Sequence, residues 1–253
     1  MNILILGGTA EARLLAGALA GREGLSVTLS LAGRTARPAP QPVPVRIGGF
    51  GGSDGLAAYL RAEHIAALID ATHPYAAAIS ANAASAAGAA GVPLLALRRR
   101  PWAKVAGDQW LDVAGVEDAV EALGKAPRRV FLALGRKELQ PFTGAPQHVY
   151  LVRSVDPVDP PLAVPQATYI TARGPFTEAE DRALLEHHRI EMIVAKNSGG
   201  EATYSKIAAA RALHLPVIML KRPVLPEVAS AATVEEVLAW LDHAMTPSIA
   251  RGV

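Results

Sequence analysis

Apolar residues along this chain fall into two alternating patterns: short unbroken runs, and longer stretches in which they return every third or fourth position. The runs at 2–6, 26–31, 66–70, 93–97, 129–134, 149–153, 168–172, 192–196 and 216–220 predict strands buried on both faces, which have no polar side to alternate. Helical spacing fills most of the intervals and is clearest at 178–188, 201–213 and 234–244. Strand and helix in turn predict an α/β fold of mainly parallel sheets with helices on both faces. The proline-rich residues 37–44 and 156–165 predict surface loops.

The pattern also repeats. VPLLALRRRP at 92–101 is echoed by LPVIMLKRP at 215–223, GVEDAV at 115–120 by TVEEVL at 233–238, and residues 130–135 resemble 3–7. These correspondences predict an internal doubling into two Rossmann-like halves, 1–126 and 127–253, with a ligand cleft between them.

Where the first run ends, Gly7-Gly8-Thr9-Ala10-Glu11-Ala12 changes to turn chemistry before helical spacing resumes at Arg13-Leu14-Leu15. A strand that ends in glycine and feeds a helix aims free backbone N–H groups and a partial positive charge at one point, where a phosphate can sit. The match to the dinucleotide fingerprint G-x-G-x-x-G is partial, because its three glycine positions hold Gly7, Thr9 and Ala12. The second run closes on Ser30-Leu31-Ala32-Gly33-Arg34-Thr35, and no acid occurs between Glu23 and Asp54. Enzymes specific for NAD place an acid there for the ribose 2′-hydroxyl, so Arg34 fits the 2′-phosphate of NADP instead.

Composition narrows the chemistry. Half of the 253 residues are apolar but only 5% are aromatic, so helices pack on sheets through small side chains. With no cysteine there is no disulfide, thiolate nucleophile, iron–sulfur cluster or cysteine zinc site, and redox chemistry needs a borrowed cofactor. No H-E-x-x-H is present, and the adjacent His187 and His188 would point about 100° apart on a helix, so no metal site is expected. No apolar stretch of membrane-spanning length and no signal-peptide zoning is found, which predicts a cytoplasmic protein.

In open α/β sheets, ligands bind beyond the carboxyl ends of the strands. There this chain places Gly33-Arg34, Thr72-His73-Pro74, Arg98 to Arg100, Gly135-Arg136, Arg153, Arg173-Gly174, Lys196-Asn197-Ser198-Gly199-Gly200 and Lys221-Arg222. A cation after nearly every strand predicts a polyanionic ligand. The net charge of only +2 and the lack of interleaved aromatic platforms or a basic tail favour a small molecule over nucleic acid. Residues 196–200, with two glycines, a hydroxyl and a cation, form a second candidate anion cradle.

ILILGGTAEAR at 3–13, DATHPYA at 70–76, RPW at 100–102, LALGRKEL at 132–139, ARGPF at 172–176, VAKNSGG at 194–200, the helix 203–211 containing Lys206, and KRP at 221–223 together resemble the precorrin-6A reductases of cobalamin biosynthesis. The resemblance spans almost the whole chain in order; the departure is Arg98-Arg99-Arg100-Pro101, more basic than the family's usual pattern. It implies an NADPH-dependent enzyme that delivers hydride to C18 and a proton to C19 of precorrin-6A, a tetrapyrrole polycarboxylate, giving precorrin-6B. The first half would then bind NADPH and the second supply most substrate contacts.

Residue by residue, the resemblance implies that Gly7, Gly8 and Thr9 hold the pyrophosphate, with Ala10 and Glu11 in the same turn. Arg34 and Thr35 would hold the 2′-phosphate beside Ser30 and Gly33, and Thr72, His73 and Pro74 the nicotinamide side, with Asp70. Arg100, Arg136, Arg173, Gly174, Lys196, Asn197, Ser198, Gly199, Gly200, Lys206 and Arg222 would hold the macrocycle. His73, Tyr75 and Lys206 are candidate proton donors, with water as the alternative. No metal, nucleic-acid or membrane partner is expected, and the chain is expected to be a monomer. Two other readings of the residues share the predicted architecture: a nucleotide-sugar glycosyltransferase, and a non-catalytic carrier of an anionic metabolite.

Overall fold

The computed structural model describes residues 1–33 and 39–245. Chain order begins with β1 (Asn2–Leu6), α1 (Ala10–Leu19), β2 (Ser26–Leu31), β3 (Val45–Ile47), α2 (Gly52–Ala62), β4 (Ile65–Asp70), α3 (Ala77–Ala90) and β5 (Leu94–Leu97). It continues with β6 (Trp110–Val113), α4 (Val116–Ala122), β7 (Arg129–Ala133), β8 (Val149–Ser154), β9 (Ala167–Thr171), α5 (Glu178–His187), β10 (Met192–Lys196), α6 (Ser205–Ala212) and β11 (Val217–Leu220). The last elements are β12 (Ser230–Ala231) and α7 (Val234–Met245). The expected α/β architecture is present as two six-stranded sheets, ordered β12-β5-β4-β1-β2-β3 and β6-β11-β10-β7-β8-β9, in which every neighbouring pair is parallel.

The two sheets correspond strand for strand, but the expected boundary between residues 126 and 127 is not where the structure divides. One compact unit is Met1–Arg100 together with the segment from Pro223, and the other is Pro101–Arg222. The reason lies in the sheet edges. β6 pairs with β11, in the second sheet, and β12 pairs with β5, in the first. Each sequence repeat therefore gives its last strand and helix to the sheet of the other.

Nine strands stand within a residue or two of their predicted positions, whereas β3, β6 and β12 were not anticipated. All three are edge strands: β3 and β12 have only three and two residues, and four-residue β6 carries Asp112 and buries only Val113, so it shows no apolar run. The helix expected over 201–213 begins at Ser205, after a turn. Residues 39–44 and 156–165 contain no helix or strand.

Alternation along β1 divides the core of the first unit into two layers. Ile3 and Ile5 pack with Leu15 and Leu19 of α1 and with Val237 and Leu241 of α7, while Leu4 and Leu6 pack with Leu56 and Leu60 of α2 and Ala83, Ala86 and Ala87 of α3. In the second unit Phe131, Leu151, Ile193, Val217 and Met219 are buried with Leu185 of α5 and Ile207, Ala209 and Ala210 of α6.

Candidate functional site

In the first unit, Leu6 at the end of β1 stands in register with Ser30 of β2 on one side and Asp70 of β4 on the other. The glycine turn therefore leaves the sheet where the strand order reverses direction, the usual place for a ligand. Gly7 donates its amide to the Ser30 carbonyl at 2.9 Å, and a Cβ on it would lie 2.5 Å from Leu29 Cδ1 and 3.3 Å from the Ala12 Cβ. Only glycine lets the turn pass this close to β2 and α1.

Thr9 caps α1. Its hydroxyl accepts from the Ala12 amide at 3.1 Å and donates to the Ala71 carbonyl at 2.9 Å, which ties the start of α1 to the end of β4. With the cap in use, the amides of Ala10 and Glu11 lie in the first turn, where an α-helix supplies no partner of its own. The Glu11 carboxylate in that turn pairs with Arg99 at 2.6 Å, so a positive charge neutralises it there.

Ser30 is buried beneath Arg46, whose Nη1 lies 3.5 Å from its hydroxyl, and Gly33 is exposed just past β2. The Arg46 guanidinium also donates to the carbonyls of Gly48 and Gly49 and stacks on the Phe50 ring at 3.8 Å. Arg34 and Thr35 lie outside the described residues.

At the end of β4, the DATHPYA segment folds around a buried carboxylate. Asp70, 4% exposed, accepts from the Thr72 amide at 3.1 Å, the Thr72 hydroxyl at 2.6 Å and the Ser80 hydroxyl at 2.6 Å. These three hydrogen bonds satisfy the buried carboxylate and hold the turn shut. His73 Nδ1 accepts from the Tyr75 amide at 3.3 Å, which puts the proton of a neutral ring on Nε2. The His73 and Tyr75 rings are 5.6 Å apart.

Thr9, Glu11, Asp70, Thr72, His73 and Pro74 line one small, open recess. Six of the residues expected to meet the cofactor thus converge, though they come from two segments some sixty positions apart. Ser80, Leu97, Arg98, Arg99 and Leu225 complete the wall. Sequence reasoning left Ser80 unassigned and could not tell which arginine of 98–100 faces a ligand. A serine in the first turn of the alanine-rich α3 was the available signal for Ser80. Arg100 is exposed at the end of the first unit, whereas the other residues expected to hold the macrocycle lie in the second.

In the second unit, Lys196 at the end of β10 pairs with Glu138 at 2.6 Å. The Asn197 side chain accepts from the Trp102 amide at 2.8 Å and donates to the Trp102 carbonyl at 2.9 Å, gripping that residue by its backbone. The Trp102 indole N–H donates to the Gly200 carbonyl at 2.8 Å. Arg222 donates from Nε to the Asn197 carbonyl at 2.9 Å and from Nη2 to the Ser198 carbonyl at 3.0 Å, and Gly199 and Gly200 have φ of 67° and 73°. These contacts bind the loop to Trp102 and to the end of β11.

Lys206, 5% exposed, donates to the Thr203 carbonyl, and its Nζ lies 5.0 Å from the centre of the Trp102 ring. Arg136 and Arg173 are exposed, and Arg136 also reaches the Pro157 carbonyl at 3.4 Å. Behind the ARGPF turn, the Arg153 guanidinium lies 3.9 Å from the Phe176 ring and pairs with buried Asp181, whose other oxygen accepts from the Ser205 hydroxyl. A Cβ on Gly174 would stand 3.3 Å from both the Ala202 carbonyl and the Phe176 ring, so this turn is closely packed against the start of α6. Of the predicted proton donors, His73 and Tyr75 are neighbours in the first unit and Lys206 belongs to the second.

Among the described residues, no group of three or more His, Asp or Glu side chains could hold a metal ion, and no helix is long and apolar enough to cross a membrane. Residues 2–242 match the profile of the family described as Precorrin-6x reductase CbiJ/CobK. A precorrin-6A reductase from Sinorhizobium sp is 55% identical over 98% of this chain and 95% of its own. Another from Rhodobacter capsulatus is 50% identical over 100% of this chain and 99% of its own. A solved structure described as CobK precorrin-6A reductase, 49% identical, superposes with a TM-score of 0.93 over 96% of this chain and 97% of that one.

Proposed function

The chain belongs to the precorrin-6x reductase CbiJ/CobK family and is an oxidoreductase of cobalamin biosynthesis; from that premise we propose that it uses NADPH, in the cytoplasm, to reduce metal-free precorrin-6A to precorrin-6B. The observation that carries the cofactor reading is the Gly7-Gly8-Thr9 turn, set at the strand-order reversal of a dinucleotide-type sheet, with Thr9 lining the recess. The turn suits the group: Gly7 packs against Leu29 and Ala12, Gly8 has a φ of 121° with open space where a Cβ would stand, and the first turn of α1 has amides with no helical partner.

When bound, NADPH supplies a hydride, two electrons and a proton nucleus, to C18 of the macrocycle, and a separate proton reaches C19. The protein's part is to orient and to exclude water. Gly7, Gly8, Thr9, Ala10 and Glu11 hold the pyrophosphate turn. Arg34 and Thr35, beside Ser30 and Gly33, receive the 2′-phosphate. Thr72, His73 and Pro74, braced by Asp70, form the nicotinamide side. Arg100, Arg136, Arg173, Gly174, Lys196 to Gly200, Lys206 and Arg222 hold the ring carboxylates. For the proton to C19, His73, Tyr75 and Lys206 are the candidate donors, with water as the alternative.

The deciding test is nicotinamide absorbance over time, under anaerobic conditions, with purified protein, metal-free precorrin-6A and either NADPH or NADH. Loss of NADPH absorbance with a matching two-electron change in the macrocycle spectrum supports the reading. Faster oxidation of NADH, or turnover only of the cobalt-containing macrocycle, refutes the corresponding part. Arg34→Ala should weaken NADPH but not NADH, since only NADPH carries the phosphate; equal losses would remove that assignment.

A further inference from the structure

Arg153 is among the cations expected beyond the strand ends, yet its side chain is only 9% exposed and its guanidinium is spent inside the second unit. It pairs with Asp181 of α5, whose side chain is 1% exposed, and its central carbon lies 3.9 Å from the centre of the Phe176 ring. The second Asp181 oxygen accepts from the hydroxyl of Ser205, the first residue of α6, at 2.5 Å. One buried carboxylate thus links the start of α6 to the end of β8 and, through Arg153, to the ARGPF turn.

Stability alone does not account for this cluster. Two charges have been taken out of water, a cost that their attraction often fails to repay, and apolar side chains of similar volume would fill the same space at no loss. What a paired guanidinium and carboxylate add is direction: their hydrogen bonds fix how each partner is turned, where packed methyl groups leave more freedom.

Both segments held in this way carry cations assigned to the macrocycle. Arg173 sits in a turn whose entry is fixed by the Ala172 amide on the Ser154 carbonyl at 3.0 Å and whose exit is fixed by Thr177, the cap of α5. Phe176, between them, rests on Arg153. Lys206 follows Ser205 directly, and Gly174 packs against the Ala202 carbonyl just before α6. A tetrapyrrole is a stiff ring with its carboxylates at set spacings. Cations that meet it gain most when their own spacing is set beforehand.

We infer that Arg153 and Asp181 are positioning residues for the macrocycle, which touch neither it nor the cofactor but fix the spacing of Arg173 and Lys206. The assignment rests on the substrate reading above.

The test combines Arg153→Met, Asp181→Leu and Ser205→Ala in the full chain, so that apolar groups of similar volume replace the cluster and no partner is orphaned. This variant should melt within about 5 °C of the wild type and bind NADPH equally well by nicotinamide fluorescence. Its KM for precorrin-6A should rise about tenfold, with kcat changed by less than about a factor of two. Arg173→Ala, worth about tenfold in KM in the wild type, should be worth less than about threefold in this background, since a cation without a fixed place has less to lose. An unchanged KM in the folded variant, a tenfold effect of Arg173→Ala in both backgrounds, or a loss of NADPH affinity as large as the rise in KM overturns the assignment. Should the combined variant fail to fold, Arg153→Lys decides: it keeps a charge for Asp181 but loses the planar face against Phe176, and should raise the KM about threefold, an unchanged value counting against the assignment. Wild-type protein that does not bind precorrin-6A in an absorbance titration sinks the substrate reading itself, a result distinct from any of these.

Discussion

The two units share a strand order yet finish corresponding strands with different chemistry. β1 runs through Gly7 and Gly8 into the ten-residue helix α1, whereas its counterpart β7 runs through Gly135 into short 3-10 turns at Arg136–Glu138 and Gln140–Gly144. There the Glu138 side chain folds back over Gly135 and takes Lys196 as its partner. β4 ends in Asp70, satisfied by two hydroxyls and an amide; its counterpart β10 ends in Lys196, satisfied by a carboxylate. Neutral donors around helix amides suit a phosphate that brings its own charge. Cations held by acids suit a ligand with many carboxylates, each able to displace an internal partner. On the function proposed above, the first unit would meet a phosphate with a helix terminus and the second would meet carboxylates with side-chain charge.

The comparison would break first at the two glycines. Gly7→Ala forces a methyl against Leu29, which is buried in the core, and should cost about 1–3 kcal/mol in urea unfolding together with most NADPH affinity. Gly135→Ala meets only the far end of the Glu138 side chain, 2.5 Å away, and should cost about 1 kcal/mol or less, because that partly exposed end can shift at the expense of its pair with Lys196. Equal costs would mean that the turns are not specialised. Next come the cations: Lys196→Ala and Arg173→Ala should each raise the KM for precorrin-6A about tenfold while NADPH binding holds, the loss of one charge-assisted contact. A change confined to NADPH would reverse the roles given to the two units.

Smaller effects sharpen the same contrast. Thr9→Val removes the cap of α1 and its tie to Ala71, and should lower stability by about 1 kcal/mol and NADPH affinity severalfold, with the KM for precorrin-6A unmoved. The smallest concerns His148, buried in the second unit, where burial chiefly lowers its pKa below the ordinary 6.5. The folded state therefore holds this ring neutral while the unfolded chain takes up a proton below pH 6.5, so stability is full above that value and falls as the pH drops toward the folded pKa. His148→Phe should flatten that part of the stability profile; an unaltered slope would show that other groups set it.

Sequence made nine strands legible because their apolar runs are a local property, and it made the glycine turn legible for the same reason. The recess was only half visible. Thr9 and DATHPYA announce themselves by spacing, but Glu11 meeting Arg99 and Ser80 meeting Asp70 are pairings across the chain that no local pattern encodes. The cradle expected over 196–200 shows the same limit. Nothing near Asn197 reveals that its amide grips Trp102, ninety-five positions away. The repeat of 115–120 at 233–238 was likewise plain, and the two segments are the helices α4 and α7. Which sheet each copy joins was not, since two equivalent copies present an edge with nearly the same face.

That exchange orders events during synthesis. When the ribosome has released the first hundred residues, five strands of the first sheet exist, but β12 and α7, which bring Val237 and Leu241 onto Ile3 and Ile5, are still more than a hundred codons away. β6 and α4 emerge next, carrying the repeat equivalent of the missing edge, and must be left for a sheet not yet made. The nascent first sheet thus waits, partly bare, for the last stretch of the message, and long-range closure of this kind is slow. A gene cut at its apparent midpoint would yield two polypeptides, each holding the other's final strand.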